Sequence, residues 1–192
     1  MITVVKYENL PLDKAEIARY MGCVSPDAKT AQLIDECILE CEGLLSYRVC
    51  FDEFPITVSE NAVAFPFALA QSAALSKHLI RFSGAVVFAA TVGIELDRLI
   101  LKYSRLSPSR ALCLQAIGAE RIEALCEAFC GDLKARKNET SSRFSPGYSD
   151  FPLSFQTEIF KALDCPRKIG LSLNSALLMS PSKSVTAIVG IK

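Results

Sequence analysis

Residues 84–100 read GAVVFAATVGIELDRLI, and the two halves of this stretch obey different periods. Ala85–Thr91 is a continuous apolar run containing the β-branched residues Val86, Val87 and Thr91. It lacks the alternation of a strand with one wet side, so a strand buried on both faces is expected. Gly93 then leads into IELDRLILKYSRL, whose apolar residues recur at helical spacing, so an amphipathic helix follows.

Downstream, Ser107-Pro108 combines a cap with proline at the first helical position. It opens the longest expected helix, about 109–136, whose basic end KARK suits a C-terminal dipole. Residues 138–152, NETSSRFSPGYSDFP, are polar and broken by proline and glycine, so they form a loop. FQTEIFKAL is a short amphipathic helix; KIGLSL and SVTAIVGI are strand-like, with a turn at Ser180-Pro181-Ser182. Upstream, residues 2–7 form a strand, 13–22 a helix closed by Gly22, and 27–45 a second helix opened by Ser25-Pro26-Asp27. YRVCF and FPITV are strand-like, Ser59-Glu60-Asn61 turns a hairpin into AVAF, and residues 69–82 are expected to be helical. Strands and helices mixed without a regular βαβ alternation place the chain in the α+β class.

The 192 residues suit one domain, with 1–50 as a possible N-terminal helical appendage to a 51–192 core. With 51% hydrophobic and 22% charged residues there is material for a packed interior. The formal net charge is zero, so there is no cationic excess to neutralise phosphates, and nucleic acid is not an expected partner. The first residues turn polar too early for a secretory signal and the apolar runs are too short to cross a membrane. A cytoplasmic location is therefore expected.

The chain has 8 cysteines but no Cys-x-x-Cys pair. Leu33, Ile34, Cys37, Ile38, Cys41, Leu44 and Leu45 make one helical stripe, which points both thiols inward as small hydrophobes. Cys126 and Cys130 repeat that spacing. With His78 as the only histidine, a zinc site would need almost pure sulfur ligation, and no histidine-based triad is easily built. Phosphate-binding loops, the dinucleotide glycine fingerprint and the Gly-x-Ser-x-Gly elbow are absent.

The segment RFSPGY, 143–148, has the makings of a site. Arginine presents a planar fork of donors that matches a carboxylate. Pro146 restrains itself and Ser145, Gly147 admits close approach to the backbone, and Tyr148 adds a flat face with a polar tip. These residues suit a small zwitterion or a flat ring; on spacing alone they equally describe an ordinary surface turn. Glu127 falls about 140° from Ile122 on the helical wheel, on the polar side with Glu120 and Glu123. That position suits either a solvated face or an acceptor for a ligand ammonium or hydroxyl.

RFSPGYSDFP and the residues that follow it, through SVTAIVGI, resemble the activation domain of vitamin B12-dependent methionine synthase, and especially its short, free-standing relatives. FAATVGIELDRLI and ALCLQAIGAERIEALCEAF resemble that family's strand and long helix, so the likeness runs from about residue 60 onward. The resemblance implies a twisted, mainly antiparallel sheet with helices packed on it. It also implies S-adenosylmethionine binding, in the service of reductive remethylation of a cobalamin. Arg143 would take the methionyl carboxylate, the backbone at Ser145 would contact the cofactor, and Gly147 would allow close approach. Tyr148 would lie near the corrin or cofactor face, and Glu127 would be the acidic contact.

These 192 residues hold no Asp-x-His-x-x-Gly motif, so cobalamin would come through a corrinoid-binding partner, with a flavodoxin-like protein as electron donor. The pattern has gaps. Asp13 lacks the aromatic setting of the family's N-terminal aspartate, Ser175-Ala176 stands where an acidic-Ser pair is frequent, and no tyrosine follows the last strand before Lys192. An alternative is therefore a docking or regulatory module for a corrinoid protein that has lost S-adenosylmethionine binding. A thiol-rich metal or redox protein is a third possibility, opposed by the core-facing cysteine spacing.

Overall fold

The computed structural model describes residues 1–192. Its centre is a four-stranded sheet in the order β1-β2-β6-β9, formed by Thr3–Tyr7, Tyr47–Pro55, Gly84–Thr91 and Ser184–Ile191. Every neighbouring pair in it is antiparallel. The apolar run 85–91 is the interior strand β6, and it is buried along its length. Val86, Phe88 and Ala90 face one core; Ala85, Val87 and Ala89 face the other. That two-sided burial is why the sequence there does not alternate.

The first face carries α1 (Lys14–Tyr20), α2 (Ala28–Cys41), α4 (Glu95–Leu106) and the long α5 (Pro108–Arg136). Asp13 caps α1 by accepting from the N–H groups of Ala15 and Glu16, and Asp27 caps α2 through Thr30. Cys37 and Cys41 are buried in this core with Cys113 of α5. Helix α2 ends at Cys41, short of the expected residue 45, which leaves Leu44 40% exposed. Within α5, Gly118 lets α4 come close: a Cβ there would lie 2.5 Å from Leu96 Cδ2.

The second face carries α3 (Ala73–Leu79), α6 (Gln156–Leu163) and α7 (Cys165–Ile169), together with a small sheet of β3 (Thr57–Val58), β4 (Ala62–Phe65) and β5 (Ala68–Gln71). Two expectations are corrected here. Residues 69–71 belong to β5, not to the helix, because that strand pairs with Ala62–Phe65; the helix starts only after Ser72, whose hydroxyl accepts from the Leu75 N–H at 3.0 Å. Lys168 and Ile169 end α7 rather than begin a strand; only Ser172–Leu173 (β7) pairs, with Met179–Ser180 (β8). Proline in its first turn and Gly170 at positive φ bound that short helix. No helix is long and apolar enough to cross a membrane.

The polar segment 138–152 is an ordered strap. It runs along the outer edge of β9, with bridges from Thr140 to Ile191 and from Phe144 to Ile188. Phe144 and Ile188 exchange two backbone hydrogen bonds of 2.9 Å each. The strap thereby covers part of an edge that would otherwise present free donors and acceptors.

Candidate functional site

Running along β9, the strap sends alternate side chains to opposite faces. Phe144 is buried in the second core, while Arg143 turns toward α5. Its Nη2 donates to Glu123 Oε2 at 2.6 Å. Arg143 also sits beside Cys126 and Cys130. Burial works against the guanidinium charge, but the Glu123 carboxylate and the neighbouring thiols hold its pKa above the ordinary arginine value. Burial likewise pushes the Cys126 thiol up to about 12, with the Arg143 charge opposing it. These cysteines are packed, neutral thiols rather than nucleophiles. No group of three or more His, Cys, Asp or Glu side chains is arranged to hold a metal ion.

Beyond Arg143 the chain turns sharply. Tyr148 N–H donates to Ser145 O at 3.2 Å, and Gly147 N–H donates to Phe151 O at 2.8 Å. Gly147 has φ +90°, and a Cβ there would be strained as well as 3.2 Å from Leu153 Cδ1. Tyr148 is 67% exposed and stands edge-on to Phe144, with ring centroids 5.3 Å apart. His78 supports the strap from behind: its Nε2 lies 2.9 Å from Ser142 O and its ring 5.0 Å from that of Phe144.

Asp150 pins the far end. Its carboxylate accepts from Ser72 Oγ at 2.5 Å, Ala73 N–H at 2.8 Å and Ala74 N–H at 3.2 Å. The Ser72 bond, with help from the two amides, holds its pKa below the ordinary value. A depressed folded-state pKa stabilises at pH above the unfolded value, about 3.9, and the contribution is lost as pH falls through the folded value. Asp150→Asn is therefore expected to melt below the wild type at pH 7. The gap should close as the pH falls below about 3.9, which thermal melts across that range will check.

On the first face, Glu123 and Glu127 of α5 line a depression of about 940 Å³, together with Asp13, Lys14, Glu16 and Tyr20 of the N-terminal segment. Glu127 is exposed, as a polar-face residue should be. Glu120 corrects the wheel: it is only 4% exposed, because residues 10–13 fold across it and the Asp13 N–H donates to its Oε1 at 3.1 Å. The fold thus joins Arg143, Ser145, Gly147 and Tyr148 on one rigid turn, and puts Glu127 in a depression whose wall includes Glu123, the direct partner of Arg143. Sequence reasoning missed Glu123 in that role, and Asp13 as a neighbour of Glu127. The only available signal for Glu123 was its place one turn before Glu127 on the same helix face.

A four-stranded antiparallel sheet with a long helix on one face, and an Arg-x-x-x-Gly-Tyr turn beside its edge strand, defines a compact α+β class. No protein-family model matches the sequence, and no curated protein matches it. Among solved structures the chain is similar to the crystal structure of the MetH reactivation domain bound to AdoHcy. The TM-score is 0.79 at 15% identity, over 100% of this chain and 78% of that one. The fold is that of the MetH reactivation domain, with an antiparallel sheet and packed helices as the sequence led us to expect.

Proposed function

We propose that this chain binds S-adenosylmethionine between the strap and α5, and serves the reductive remethylation of a cobalamin carried by a corrinoid partner. The observation that supports it best is the pairing of Arg143, from the 143–148 turn, with Glu123, which also lines an acidic depression on α5, in a fold whose solved neighbour is bound to AdoHcy. AdoHcy is S-adenosylmethionine without its transferable methyl group. At neutral pH the methylated form carries one net positive charge, which suits walls where Asp13, Glu16 and Glu127 outnumber Lys14.

When bound, the ligand supplies a methyl group on a sulfonium. The chain's own residues bind and orient it. Arg143 offers the carboxylate two parallel N–H donors. Glu127 accepts from the ammonium or a ribose hydroxyl, the backbone at Ser145 lies along the cofactor, and Gly147 allows close approach. Tyr148 presents its exposed ring to the corrin. The electron would come from a flavodoxin-like donor. Turnover without the partner is not expected, because cobalt does the redox chemistry.

Glu123 occupies the side of Arg143 that a ligand carboxylate would take. Half-exposed ion pairs of this kind are worth about 0.2–1 kcal/mol. Glu123→Gln is therefore expected to tighten S-adenosylmethionine binding by up to about fivefold, read by calorimetric titration against the wild type. Weaker binding in the variant would instead make Glu123 a ligand contact. That same ion pair favours a second reading, a docking module whose arginine is permanently engaged. Absence of binding by both proteins would support it.

A further inference from the structure

At the other edge of the sheet, far from the strap, lies a group of cations without carboxylate partners. Lys6 of β1 and Arg48 of β2 are directly paired in the antiparallel register. Such residues share a face, and like charges directly opposite are destabilising. Cys50, two residues along β2, meets Cys165 with sulfurs 4.0 Å apart, so this is the face that carries α7. Arg48 lies under the end of that helix: its Nη1 and Nη2 are 3.9 and 4.0 Å from where a Cβ on Gly170 would sit. Lys168, two residues before Gly170 on α7, adds a third positive charge at this end of the helix.

Nothing in the chain neutralises this group. The buried Nε of Arg48 has no hydrogen-bond partner. The nearest acid on α7, Asp164, faces Arg167 at 3.9 Å. A dry guanidinium N–H without an acceptor is an uncommon and costly feature, and a cross-strand cation pair adds to it. One doubly charged anion bridging the Arg48 and Lys6 side chains would relieve the cation pair.

We infer that Arg48, Lys6 and Lys168 form a phosphate-binding site on the open face of β1 and β2 beside α7. Arginine's planar fork matches two phosphate oxygens, and the lysines act as point charges around them. The shared chemistry is a phosphate dianion, either free or as the monoester of a small metabolite. The site lies on the β1 edge, so it stands independently of any ligand at the strap on β9.

The test is calorimetric titration of the full chain with inorganic phosphate and with glycerol phosphate, at constant ionic strength set with chloride. Saturable binding is expected, weakened at least tenfold in Arg48→Gln and severalfold in Lys6→Gln. Arg167→Gln, which removes an exposed cation already facing Asp164, should bind as the wild type does. Tighter binding of the ester identifies an organic phosphate as the ligand; equal binding identifies the free ion. Lys6 is exposed, so its variant keeps the test valid if Arg48→Gln melts early. No saturable binding of either probe overturns the inference. So does equal affinity in the Arg48 and Lys6 variants and the wild type.

Discussion

Glu120→Ala is expected to destabilise the folded chain by about 3–5 kcal/mol, the usual cost of breaking a buried ion pair by removing one partner. The side chains of Arg121 and Glu120 are 3% and 5% exposed. Arg121 donates to Glu120 Oε1 at 2.6 Å and to Leu10 O at 3.1 Å, and it also bonds Pro11 O. Glu120 in turn holds the Asp13 N–H. The alanine variant would leave a guanidinium in the interior without its counter-charge and would unpin residues 10–13. Because Asp13 both caps α1 and lines the acidic depression, damage should spread to the site. Urea denaturation measures the loss, and hydrogen exchange should show faster opening of α1 than of β6. Replacing both partners by apolar residues of similar volume should cost much less, since burial of the pair is itself expensive. A loss below about 1 kcal/mol in Glu120→Ala would mean that water already reaches the pair.

Arg143→Ala carries the largest expected effect on binding. A charge-assisted, two-point contact with a carboxylate is worth about 1.5–3 kcal/mol, so affinity for S-adenosylmethionine should fall at least tenfold. Arg143→Lys keeps the charge and loses the fork, and should fall between the two. The fold should survive either change. The strap is held by its backbone bridges to β9 and by Asp150, not by the guanidinium. A melting temperature close to that of the wild type would separate lost contact from lost structure.

The interior strand was legible because burial on both faces writes itself into a run such as AVVFAAT. Asp13, Asp27 and Ser72 wrote three helix starts, yet the start at Ser72 was obscured by the apolar ALAQ before it. A short strand paired in a hairpin and the first turn of a helix look alike when both are Ala- and Leu-rich, and pairing with Ala62–Phe65 decided the matter. Glu120 shows the limit of a helical wheel. The wheel gives an angle, whereas burial depends on what crosses that angle, here residues 10–13. The candidate site divides in the same way. Arg143, Ser145, Gly147 and Tyr148 are contiguous, and their turn was readable from Pro146 and Gly147. The Arg143–Glu123 pair was not, because it forms only when the strap returns along β9 beneath α5.

The most direct test of the account is a calorimetric titration of S-adenosylmethionine into the wild-type chain and Arg143→Ala under one set of conditions. Saturable binding by the wild type and at least a tenfold loss in the variant are expected. Binding that is equal in the two proteins, or absent from a folded wild type, would contradict it.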